Sequence, residues 1–201
     1  MTRIAGFVLL LMLTLFPALA WGHPGHADAD GLREGLLHPL LGFDHLIAAA
    51  LIGWWAQARR RASGDVATSA LPGLFVGSMI LGFGLSPYGL LDAVVVEWLI
   101  ALTLIALAIQ LLKPRALVGK HAFALVALAG LTHGLAHGSA LGATAAPSSW
   151  LMGITLSTAV LHAAGLWIGQ ALTNRRWARP LAAGGTLAFA SIMALSLAFS
   201  S

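Results

Sequence analysis

Stretches of about 20 apolar residues occupy most of this 201-residue chain, near 36–56, 70–91, 93–112, 121–143, 149–172 and 180–199. Each is long enough to cross the hydrocarbon of a bilayer as a helix. No water bonds to bare backbone in that medium, so a spanning segment has to satisfy its own amides, as a helix does. Composition agrees, with 59% of residues hydrophobic and 9% charged, far from the soluble globular average. The longest piece between spans, 57–69, is too small to bury a core. The expected fold is an all-α integral membrane protein, about six transmembrane helices in one bundle over residues 36–201.

Basic residues punctuate alternate loops. Arg59, Arg60 and Arg61 follow the first span, Lys113, Arg115 and Lys120 the third, and Arg175, Arg176 and Arg179 the fifth; the loops after spans two and four hold no Lys or Arg. The positive-inside rule then places both termini on the exported side. Residues 1–20 read as a secretory signal peptide, with Arg3 before an apolar run and Ala18-Leu19-Ala20 before the cut. A second cleavage point follows Gly22, and residues 21–35 form a short periplasmic tail. With its basic residues confined to short loops, the formal charge of +4 implies no nucleic-acid partner; the bilayer is the partner. Trp54, Trp55, Trp150, Trp177 and Tyr88 fall near span ends, where amphipathic rings settle. Gly130, Gly134, Gly138 and Gly142 recur every fourth residue, as do Gly73 with Gly77 and Gly165 with Gly169. That spacing lets helix backbones touch in lipid.

Against this apolar background stand ionisable side chains at bilayer depth. Each costs roughly 2.5–3.5 kcal/mol there, so each marks a site or a pathway. Imidazole and carboxylate are common ligands of divalent metals, and the absence of cysteine excludes thiolate and iron–sulfur sites. His133 and His137 lie one helical turn apart and can reach one ion from one face. Metalloproteases use that spacing with a Glu after the first His; Gly134 stands there instead, which argues against proteolysis. His38 and His45 share a face but lie about 10 Å apart along a continuous helix. They are therefore expected as successive stations, not as one site. Pro39 is expected in the first helical turn, where its missing N–H is harmless.

Asp44 would bind the ion or orient an imidazole. Glu97, a turn below the outer end of the third span, would add a second negative charge, enough with Asp44 to offset a divalent cation. His162, midway along the fifth span, is a deeper candidate, and His121 reads as solvated at the inner interface. In the exported tail, His23 and His26 offer a capture site. Cleavage after Ala20 would leave His23 third, an arrangement suited to square-planar Ni(II) or Cu(II).

His38-Pro-Leu-Leu-Gly42-Phe-Asp44-His45, running on to Gly53-Trp-Trp55-Ala56, and His133-Gly-Leu-Ala-His137-Gly138 resemble the first- and fourth-helix signatures of the hydrogenase/urease accessory permeases, the HupE/UreJ family. Val96-Glu97-Trp-Leu-Ile-Ala101 and Leu161-His162-Ala-Ala-Gly165 are similar to its third- and fifth-helix segments. The chain departs at Ala140, where the family motif often continues with an acidic residue, and at Ala49, where methionine is common. The resemblance implies a permease of the bacterial inner membrane, not an enzyme. It would import Ni²⁺, or Co²⁺ in some members, for hydrogenase or urease maturation, with no permanent cofactor. No Gly-Lys-Ser/Thr phosphate loop is present, so the chain itself does not draw on nucleotide hydrolysis.

The main alternative is a haem-binding membrane cytochrome with axial histidines on facing helices, to which paired carboxylates are poorly suited. A di-iron hydroxylase would need several histidine boxes where one His-x-x-x-His occurs. The oligomeric state, and whether a cytoplasmic metallochaperone receives the ion, stay open.

Overall fold

The computed structural model describes residues 31–113, 119–141 and 147–200. The expected signal peptide, its cleavage points, His23 and His26 lie outside these residues. The described residues form α1 (Gly31–Leu41), α2 (Phe43–Ser63), α3 (Leu71–Leu85), α4 (Ala93–Leu112), α5 (Lys120–Ala140), α6 (Pro147–Ala171) and α7 (Ala178–Ser200), with no strand among them. Short 3-10 turns, Val66–Ala70 and Ser86–Tyr88, flank α3. Five segments are long and apolar enough to cross a membrane, and the bent pair α1 and α2 makes a sixth when counted as one span. The protein is a multi-pass helical membrane protein.

The first span differs from expectation. It is not one helix over 36–56 but two, meeting at 75°. Residues 31–35, expected in the tail, already belong to α1. Pro39 therefore sits near the end of α1, not in its first turn. It offers no N–H to the carbonyl one turn back and its ring crowds that turn, which weakens α1 near its end. Gly42, extended at φ −83° and ψ 109°, links the two axes. Its N–H donates to His38 O at 3.0 Å, and its carbonyl accepts the Leu46 N–H at 3.0 Å.

Glycine contacts set the bundle. On α5, a Cβ at Gly130, Gly134 or Gly138 would collide with Phe75 O, Met79 O or Ser86 Oγ respectively. Because these partners rise in the same order, α3 and α5 run parallel. Likewise Gly165 abuts Ala50 O, Gly53 abuts His162 O, and Gly169 abuts Trp54, which seats α2 along α6. Gly35 and Gly153 seat α1 on the start of α6. Spans an even number apart run parallel in both cases, the second with the fourth and the first with the fifth, as alternate crossing of a bilayer requires. Arg61 and Arg179 line one cleft of about 270 Å³ together with Trp54 and Gly169, so the first and fifth basic loops share an end.

Two expectations fail. A Cβ at Gly73 or Gly77 would meet nothing within 4 Å, so that pair faces away from the bundle. Trp55, Trp54 and Trp150 are only 0%, 8% and 4% exposed and fill the interior, whereas Trp177 and Tyr88 are exposed as expected. Trp54 packs directly on Gly169, where an added Cβ would come within 2.8 Å of the indole.

Candidate metal site

The bend at Gly42 assembles the site. His38 ends α1, Asp44 and His45 open α2, and His133 and His137 lie on one face of α5. The His38 and His45 ring centroids are 5.7 Å apart, where a continuous helix would have held them in separate layers. The expectation of successive stations at these two residues is thus overturned: the turn folds His38 back over the start of α2. His38 also lies 5.0 Å from His137, and His45 lies 4.0 Å from His137 and 4.8 Å from His133.

Two donor groups result, each with its ligand atoms within 4.8 Å of one another: His38, His45 and His137; and Asp44, His45 and His133. His45 belongs to both. Its Nδ1 is 2.6 Å from Asp44 Oδ2, and its Nε2 is 3.2 Å from His137 Nδ1. A carboxylate only accepts, so a neutral His45 with its proton on Nδ1, facing Asp44, would offer the Nε2 lone pair to a metal. His133 Nδ1 donates to Ala129 O at 2.7 Å. That bond fixes the tautomer, leaving the Nε2 lone pair of His133 buried without a hydrogen-bond partner. A buried polar atom left unpaired is unfavourable by about 1–3 kcal/mol, and a metal ion would satisfy it. The first triad is all imidazole; the second includes one negative charge.

Aromatic rings wall the cluster. Trp150 lies 5.3 Å from His38 and 5.8 Å from His137, and it stacks on Phe83 at 5.8 Å. Reading the sequence placed Trp150 at the membrane interface and passed over Phe83 and Phe75. The available signal was Gly153, one turn beyond Trp150, which marks that face of α6 as a packing face.

Glu97 is half-buried on α4, within electrostatic range of Asp44 and His45, but it belongs to neither donor group. His162 is 2% exposed and also lies outside both. His121 is exposed, as expected. Ala49, at 1% exposure, is packed in the core.

A polytopic helical membrane protein with an imidazole–carboxylate cluster between its helices is the class this architecture defines. The chain belongs to the HupE/UreJ family: the model of that family, described as HupE / UreJ protein, matches residues 10–195. Its relatives include Protein HupE of Rhizobium leguminosarum bv. viciae, 31% identical over 160 residues that cover 77% of this chain and 78% of the relative. No solved structure matches the chain.

Proposed function

We propose that the protein imports Ni²⁺, with Co²⁺ the next cargo, across the bacterial inner membrane, supplying hydrogenase or urease maturation. The observation that carries this reading is the shared His45, which joins two metal-ligand triads inside a membrane-spanning bundle. A nitrogen-rich site favours Ni²⁺ over Co²⁺ in the usual divalent order. The ion enters at the all-imidazole triad, where His38 is the half-buried member. It then exchanges His38 and His137 for Asp44 and His133, gaining a carboxylate as it loses water. Glu97 lies close enough to add a second negative charge to the field. Both termini lie on the exported side, the tail histidines His23 and His26 collect the ion, and a cytoplasmic metallochaperone accepts it.

A haem has poor support. With 3.2 Å between His45 Nε2 and His137 Nδ1, these rings leave no slot for a porphyrin. Uptake of radiolabelled nickel by cells expressing the protein tests the import reading. Wild-type uptake should exceed that of Asp44→Ala and His133→Ala variants of equal abundance; equal uptake by all three would sink it.

A further inference from the structure

Neither triad uses His162, yet it is built like His133. Its Nδ1 donates to Thr158 O at 2.8 Å, one turn back on its own helix. Its Nε2 is buried without a partner. Two buried imidazole nitrogens without hydrogen-bond partners, one on α5 and one on α6, are thus held by the same local device. A single ring touches both. Phe75 on α3 lies 5.4 Å from His133 and 5.1 Å from His162, whereas no ring contact joins the two imidazoles among the described residues.

Phe75 is 2% exposed, and its backbone carbonyl packs against Gly130 so tightly that no Cβ would fit. The backbone is therefore pinned, and only the side chain can move. Met79, one turn along α3 and 1% exposed, closes the space beside it and accepts a contact from Thr158 Oγ1 at 3.9 Å. The ring of Phe75 thus contacts both imidazoles, and it and Met79 are buried.

Resting on the import reading above, we infer that Phe75 is the gate of the metal path. Its ring separates the donor cluster from His162, and an ion passes only when that ring rotates. The residue suits the task on physical grounds. A phenyl ring excludes water when closed, and its face attracts a cation passing within about 6 Å of the centroid. His162 would then receive the ion on the far side.

The test uses the full-length protein in liposomes, with Ni²⁺ flux and equilibrium Ni²⁺ binding measured on the same samples. Phe75→Ala should raise the initial flux, and Phe75→Trp should lower it, each by at least about tenfold, the change produced by about 1.4 kcal/mol in a barrier. Binding to the cluster should stay within about twofold, because Phe75 donates no ligand. Phe75→Leu keeps the apolar bulk without the planar ring, and should show a smaller rise if the alanine variant does not fold. His162→Ala should slow flux with binding intact. Wild-type flux in all Phe75 variants, with binding intact, would overturn the gate alone. Loss of binding in His162→Ala would place that residue in the primary site and likewise overturn it. A wild-type protein that binds Ni²⁺ but carries no flux above an Asp44→Ala control would overturn the import reading and the gate with it.

Discussion

Gly134 separates the two histidines of α5 and lies on its contact with α3, so one added methyl group there probes packing and site together. In Gly134→Ala, the new Cβ would collide with Met79 O and approach both Met79 C and Phe83 N to 2.8 Å. Ordinary contact begins at 3.4 Å, so the backbones must part by about 0.6 Å at the least, the repulsive wall being too steep to absorb it. All the nearest atoms are main chain, and none can swing aside. Overpacking of this kind destabilises by about 1–3 kcal/mol.

The displacement also exceeds the metal–ligand tolerance of about 0.2 Å, and it carries His133 and His137 together relative to His38, Asp44 and His45. Thermal unfolding in detergent should show a lower midpoint, and calorimetric titration should show Ni²⁺ affinity reduced by at least about tenfold, equal to about 1.4 kcal/mol. Gly77→Ala serves as control, since its Cβ would meet nothing within 4 Å and should leave both measurements unchanged. Wild-type stability and affinity in Gly134→Ala would refute the close approach of α3 and α5.

Other consequences follow from the shared cluster. His45 serves both triads and His38 one, so His45→Ala should reduce Ni²⁺ binding more than His38→Ala, as measured by equilibrium dialysis; the reverse order would contradict the overlapping arrangement. A visible spectrum of the purified protein should lack a Soret band, and a stoichiometric band would restore the haem alternative.

Much was legible in the sequence because the bilayer imposes a local rule. Spans need about 20 apolar residues, basic residues collect in alternate loops, and polar side chains stand out against such a background. Those three facts yielded a six-span helical protein and named every member of the donor cluster. They did not reveal how the donors meet. α3 is apolar nearly all round, so periodicity does not identify the face that turns inward. Gly73 and Gly77 looked like the packing glycines of α5, yet they point away from the bundle.

His38 and His45 show the division most clearly. Their types and burial follow from residue chemistry read along the chain. Their separation does not, because it depends on where a helix breaks. Pro39 and Gly42 weaken the helix locally, but only the packing of α1 on α6 through Gly35 and Gly153 sets the 75° turn that unites them. Sequence alone determined that histidines and carboxylates lie within the membrane-spanning segments; tertiary structure decided that His38 and His45 belong to one cluster, with Glu97 and His162 outside it, because only helix contacts fix where the chain turns and which way each face points.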